Sequence, residues 1–389
     1  MINQSPIEKV RFFSAAEYER RLSATRRNMA ERGIDTLLVF NAENVVYLCG
    51  YQTIGYSSYL CLVVPSSGDL TLYVREMETG CANYYAWVED IVFYRDHQDP
   101  VQVLAGALHE RGLVKGTLGI EMDAAFIGAK RTEQLRSLLR HDANVVDGSM
   151  TAEPVRAIKS DEELEYVRQA CRATEAGMRA GVEAVLAGAT ENDVASAMFK
   201  ATTGAGSTYM SSQPIVTSGP RSGVAHTTFD NRRIEQGDVV LLELGGCVNR
   251  YSGGLMRSVA IGTVPDEVHR AAAVCREGLE AAIAAIQPGI PAGVPDDACV
   301  AAFRRNGYEL GKRTGYSCGV SFPPDWGEGH IISIRHGETQ LLQPGMVFHM
   351  PPAIRKLAQW GVGTSETILV TETGCDVLTQ GLSRDLFVK

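Results

Sequence analysis

Apolar positions in the first part of the chain switch between two periods. Over residues 15–32 they recur at helical spacing, with Leu22 and Met29 on one face, which predicts an amphipathic helix. Residues 34–40 (IDTLLVF) form a short unbroken apolar run and predict a buried strand. The runs 59–64 (YLCLVV) and 70–74 (LTLYV), separated by PSSGD, predict a hairpin. Residues 101–111 and 129–139 predict helices, with a strand over 117–121 (TLGIE) between them. This alternation is that of a smaller α/β domain over residues 1–150.

Residues 151–159 (TAEPVRAIK) read as a linker. Ser160 then opens a long helix. In S-D-E-E, Ser160 is the N-cap and Glu163 reaches back to it, a capping box, and the apolar period continues through Val185. A second helix is predicted over 191–202. Further on, a strand over 239–244 (VVLLEL) lies among Gly-rich turns, helices cover 269–286 and 296–306, and strands cover 346–350 and 367–371. Strands bracketed by helices predict an α+β domain over residues 151–389.

Composition narrows the function classes. A length of 389 residues suits two domains, and 45% hydrophobic with 21% charged residues is ordinary for a globular protein with a full core. A formal net charge of -9, with no basic run, argues against nucleic acid or an anionic membrane as a partner. The opening stretch MINQSPIEKVRFFS has no signal-like apolar core, and no apolar run approaches the roughly 18 residues of a membrane helix. A cytoplasmic location is expected. The nine cysteines are odd in number and form no CxxC pair, so neither a disulfide framework nor a zinc ribbon is expected.

Two residues stand out chemically. His226 lies in a Gly/Ser-rich loop (SGPRSGVAHTTFDNRR) just before the strand over 239–244, where an imidazole can shuttle protons or simply brace the loop. Glu243 interrupts that apolar strand. A buried carboxylate is costly unless paired, hydrogen-bonded or protonated, so it points to function or to a structural partner.

The run from His226 to Arg257 resembles the core of the pita-bread superfamily, which includes methionine aminopeptidases, prolidases and creatinases. The resemblance implies a C-terminal pita-bread domain behind a creatinase-like N-terminal domain. It also identifies five metal-ligand positions in the metalloenzymes. Here Glu243 keeps the first. Gly254 in SGGLMR, Tyr316 in GYSCG, Pro351 in PGMVFHMPP and Ser365 in GTSETILVTETG stand at the other four. Glycine and proline offer no side-chain donor, and hard divalent ions require several oxygen ligands. The resemblance therefore implies neither a metal centre nor another cofactor.

The creatinases supply a metal-free precedent. By similarity, His226 matches their general base, Tyr251 an active-site Tyr and Arg335 a substrate-binding Arg. Met256 replaces a substrate-binding Glu. Ile54-Gly55-Tyr56 stands where the creatinases carry a Phe-Gly-Arg motif that reaches the partner subunit, which implies a homodimer with Tyr56 near the partner's substrate. The segment SFPPDWGE, with GPRSGVAHTT and LELGGC, is also similar to the ectoine hydrolase group, which opens a cyclic amidine.

The resemblance implies hydrolysis of a C–N bond in a small nitrogenous solute. His226 would activate water, Glu243 would hold positive charge on the substrate, and Glu366 would do likewise or orient His226. Tyr251 would donate a hydrogen bond and Arg335 would bind a carboxylate. Asp325, Trp326 and His349 are further candidate pocket residues, with His330 and His336 near the same face and Cys247 and Cys318 as candidate nucleophiles. A metal-dependent Xaa-Pro peptidase and a non-catalytic binding module of the same fold remain the alternatives.

Overall fold

The structure, a computed structural model, describes residues 8–389. The chain divides between Arg156 and Ala157 into two units.

The first unit is built on a six-stranded mixed sheet. Its strands are β1 (Thr36–Val39), β2 (Cys61–Pro65), β3 (Thr71–Arg75), β4 (Asp90–Tyr94), β5 (Thr117–Ile120) and β6 (Asn144–Asp147), in the order β4-β3-β2-β1-β5-β6. The β1–β2 and β2–β3 pairs are antiparallel and the others parallel. Its helices are α1 (Ala15–Glu31), α2 (Ala42–Cys49), α3 (Thr79–Tyr85), α4 (Pro100–Glu110) and α5 (Ala129–Leu139). Leu38, Val63, Tyr73, Leu104, Leu118 and Leu135 form a core on which α4 and α5 pack. The sequence reading missed α2. Seven of its residues are buried, so it has no polar face to show a helical period.

The expected linker is structured. Its residues Glu153–Ala157 form the short helix α6. Asn44 Nδ2 donates to Glu121 Oε1 (2.6 Å) and Glu153 Oε1 (2.7 Å), and Arg156 Nη1 donates to Asn44 Oδ1 (2.6 Å). These buried contacts assign residues 151–156 to the first unit.

The second unit opens with α7 (Asp161–Ala184) and α8 (Glu191–Gly204). Both start with a capping box, Ser160 with Glu163 and Thr190 with Asp193. They pack through Met178, Val182, Val194 and Met198 on the sheet of β7 (Ile215–Ser218), β8 (Val239–Val248) and β9 (Tyr251–Ala260). The β8–β9 hairpin turns at Asn249 and Arg250, both with positive φ (47° and 68°), as a two-residue hairpin turn requires. Arginine is unusual there. Its guanidinium compensates by donating to Tyr209 O (2.9 Å), Ser321 O (2.9 Å) and Ser211 Oγ (2.9 Å).

Helices α9 (Asp266–Ala285) and α10 (Gly293–Arg305) precede the remaining strands. These are β10 (Gly315–Ser317), β11 (Ser333–Ile334), β12 (Val347–Met350), β13 (Ala353–Lys356), β14 (Trp360–Gly363), β15 (Glu366–Thr371), β16 (Gly374–Val377) and β17 (Phe387–Val388). One sheet runs β11-β10-β12-β15-β16, while β17 extends the β9 edge of the first sheet and β13 pairs with β14. Leu279, Phe303, Phe348, Met350 and Ile368 share a core with α9 and α10. The architecture is the expected one: an α/β N-terminal unit and an α+β unit of pita-bread type. Among the described residues no helix is long and apolar enough to cross a membrane.

Candidate active site

Strand alternation aims the key side chains. On β8, Leu242 and Leu244 belong to the core behind the sheet, so Glu243 projects from the opposite face. On β12, Phe348 and Met350 face the other core, so His349 projects away from it. In the antiparallel registers Gly245 lies opposite Gly254, Tyr316 opposite His349, and His349 opposite Thr367.

A cavity of about 550 Å³ opens over β8, and its walls include His226, Glu243, Arg313, Tyr316, Asp325 and Trp326. His226 is exposed and stands on a turn with φ 58°. Its loop is pinned by Glu191, the first residue of α8. This buried carboxylate accepts from Ser218 N (2.8 Å), Ser218 Oγ (2.8 Å), Asp230 N (2.9 Å) and Arg221. Arg221 in turn donates to Thr228 O (2.6 Å), so both flanks of His226 are held.

Among the described residues neither His226 nor Glu243 makes a side-chain hydrogen bond or ion pair. Burial pushes the Glu243 carboxyl above the ordinary carboxylate range, while the charges of Lys312 and Arg355 pull it back. An imidazole and a carboxylate with free polar atoms at one cavity wall can move a proton and hold a cation there. Arg313 adds a cation to the same cavity. Its guanidinium lies 4.7 Å from the centre of the Tyr316 ring and donates to Ser333 Oγ (3.0 Å). The sequence reading missed Arg313. The only signal was its place just before GYSCG.

The family's metal positions come together, but as something else. Tyr316 Oη lies 2.9 Å from His349 Nδ1, and His349 Nε2 lies 2.7 Å from Ser365 Oγ. Trp326 Nε1 donates to Tyr316 Oη at 3.1 Å, and the Trp326 ring lies across Gly245, where a Cβ would be 3.1 Å from it. A Cβ on Gly254 would lie 2.9 Å from His349 Nδ1. The imidazole therefore fills the space into which a longer side chain at Gly254 would project. Among the described residues, no group of three or more His, Cys, Asp or Glu side chains could hold a metal ion. The residues present do not fit a binuclear centre.

Several residues named from the sequence lie elsewhere. The Tyr251 hydroxyl donates to Glu163 Oε1 (2.9 Å) and its ring stacks on Tyr166, so it is a buried structural contact outside the cavity lining. Glu366 accepts from Arg257 Nη2 (2.7 Å), Arg384 Nε (3.0 Å) and Thr379 Oγ1 (2.5 Å), is wholly buried and does not line the cavity that holds His226. Arg335 is exposed, pairs with Glu338 (3.1 Å) and lines an adjoining cavity of about 1000 Å³. Tyr56, whose expected place is at the site of a partner subunit rather than of its own chain, belongs to the first unit, where its ring meets Phe126 edge-on at 5.4 Å. His349 does not line the cavity. It is wholly buried, and burial, with Lys312 and Arg257, drives it down to about 3, so it is neutral. His330 is exposed, and so is His336, 3.3 Å from Asp297. Burial pushes the Cys318 thiol up to about 12, which removes it as a nucleophile, and Cys247 is buried on β8. Asp325 and Trp326 do line the cavity, and Asp325 Oδ1 accepts from Gly327 N (3.1 Å).

The comparisons with known proteins agree with this architecture. The chain is 32% identical to an ectoine hydrolase of Halomonas elongata, over 97% of this chain and 98% of that one. It is 26% identical to an Xaa-Pro dipeptidase of Pyrococcus furiosus, over 92% of this chain and 97% of that one. A prolidase structure from Thermococcus sibiricus superposes with a TM-score of 0.85 at 23% identity, covering 97% of this chain and 100% of that chain, and shares the fold. Residues 21–158 match the creatinase/prolidase N-terminal domain, and residues 165–372 match metallopeptidase family M24. The chain belongs to metallopeptidase family M24, a family of hydrolases, and carries a creatinase/prolidase N-terminal domain ahead of its M24 domain.

Proposed function

We propose that this M24 member hydrolyses a C–N bond in a small cyclic amidine of the ectoine type, without a metal centre. The observation that carries the reading is the Tyr316–His349–Ser365 chain, which joins two of the family's metal-ligand positions by hydrogen bonds, fills the space beside a third, Gly254, and leaves Glu243 and His226 free at the cavity. The similarity to the Halomonas elongata ectoine hydrolase supports the substrate class.

A protonated amidine carbon is already electrophilic, so it needs less Lewis-acid help than a peptide carbonyl. Glu243 holds the amidinium. His226 takes a proton from water as the oxygen attacks the amidine carbon, and a tetrahedral adduct forms. The ring C–N bond then breaks with its electron pair on nitrogen, and His226 returns the proton there. Arg313, rather than Arg335, supplies the cation for a substrate carboxylate in this cavity. The test is incubation of the purified protein with ectoine, with the ring-opened product followed by NMR. His226→Ala is expected to lower turnover by about 10²- to 10⁴-fold. Unchanged turnover in that variant overturns the assignment.

The Xaa-Pro dipeptidase similarity keeps peptide hydrolysis as the second reading. Cleavage of Xaa-Pro dipeptides by the same preparation, and not of ectoine, would establish it.

A further inference from the structure

We infer that Tyr316 is a catalytic hydrogen-bond donor at the cavity, and that His349 and Ser365 are positioning residues that turn its O–H toward the substrate. The inference rests on the proposed C–N hydrolysis for its chemistry, but its geometry stands apart from the choice of substrate.

Four polar groups form one chain: Trp326 Nε1, Tyr316 Oη, the His349 ring and Ser365 Oγ. Trp326 Nε1–H can only donate, so Tyr316 Oη accepts from it. His349 is neutral and carries one ring proton, in one of two arrangements. With the proton on Nε2, His349 donates to Ser365 Oγ and Tyr316 donates to Nδ1. The Ser365 O–H must then find another acceptor. Ser365 is completely buried, and among the described residues its side chain has His349 as its partner and no second one. That arrangement leaves a buried donor unmade.

With the proton on Nδ1, no donor is stranded in the core, and the one left over is on Tyr316, which lines the cavity. Ser365 O–H donates to Nε2, and His349 Nδ1–H and Trp326 Nε1–H both donate to Tyr316 Oη. Both phenolic lone pairs are then engaged by protein, and the Tyr316 proton is left for the cavity that Tyr316 lines. Burial, followed by the charges of Glu243 and Asp325, holds this phenol well above its ordinary range, so it stays protonated and acts as a donor. Two donors on the phenolic oxygen also strengthen the hydrogen bond it gives.

Placed against the substrate, the Tyr316 O–H donates to the ring nitrogen as the C–N bond breaks. It stabilises the electron pair arriving there while His226 delivers the proton. Tyr316 thus takes over part of the charge stabilisation that a metal gives elsewhere in the fold, at a position where the metalloenzymes carry a ligand.

Two measurements test this on the full-length protein. Histidine-selective nitrogen-15 NMR reads the His349 tautomer directly, with His349→Asn used to assign its signal. A proton on Nδ1 is the expected result, and a proton on Nε2 overturns the inference. Tyr316→Phe, melted thermally to verify folding, is expected to lower kcat on ectoine by about 10²-fold with KM changed by less than about threefold. His349→Asn, which keeps an N–H donor facing Tyr316, is expected to retain more kcat than His349→Leu. Wild-type kcat in Tyr316→Phe overturns the inference. Failure of the wild-type chain to open ectoine would count against the substrate reading, and the tautomer measurement would then decide the role of Tyr316.

Discussion

Glu243 is the only one of the five metal-ligand positions to keep a carboxylate, and its surroundings have changed around it. Glu243→Gln keeps the shape and removes the charge, and is expected to lower kcat/KM for an amidinium substrate by about 10²- to 10³-fold. Gly254→Asp restores the family's ligand chemically, but its Cβ would sit 2.9 Å from His349 Nδ1. We expect a loss of about 1–3 kcal/mol in denaturant unfolding from that crowding, and no gain of metal by elemental analysis. Glu366→Gln breaks a buried pair with Arg257 and is expected to cost about 3–5 kcal/mol. At residue scale, His226 and Glu243 were legible because a His in a Gly-rich loop and a carboxylate in an apolar strand are conspicuous alone. Tyr251 and Tyr316 were not separable. Both neighbour Gly-rich strands, and only the register decides which phenol meets Glu163 and which meets His349.

At the scale of elements, the apolar strand over 239–244 and the long capped helix were readable from period and capping box, whereas the strand's hairpin partner β9 was not among the expected strands and α2 was hidden by its burial on nearly all sides. The pinning of the His226 loop was also hidden, because Glu191 lies far from it in sequence and its four contacts are tertiary. Glu191→Gln is expected to lower kcat/KM by about ten- to hundredfold through loop misplacement, read out by steady-state kinetics. The strand β12 carries a pH signature. His349 falls from an ordinary value of 6.5 to about 3 in the fold, so the folded state binds fewer protons than the unfolded chain between those values. Its stabilising contribution is complete above 6.5 and is lost as pH falls toward 3, at up to about 1.4 kcal/mol per pH unit. Urea unfolding across that range should show this slope, and His349→Asn should lack it.

For the whole molecule, the two-unit plan was legible in the alternation of periods, but the join was not. The expected linker contains α6, tied to Asn44 by buried contacts whose distant partners no local pattern reveals. The fold alone does not choose among activities, since it also serves a prolidase. The choice rests on which groups line one cavity. A ligand that fits it stabilises the folded chain by mass action, about 2.7 kcal/mol at a hundred times its Kd, so ectoine should raise the melting temperature in a concentration-dependent way. The most direct test of the central claim is ectoine turnover by protein whose metal content is measured in the same sample before and after exhaustive chelation. The account predicts full turnover at substoichiometric metal, unchanged by the chelator. Turnover that disappears on chelation and returns in proportion to added divalent ion would contradict it.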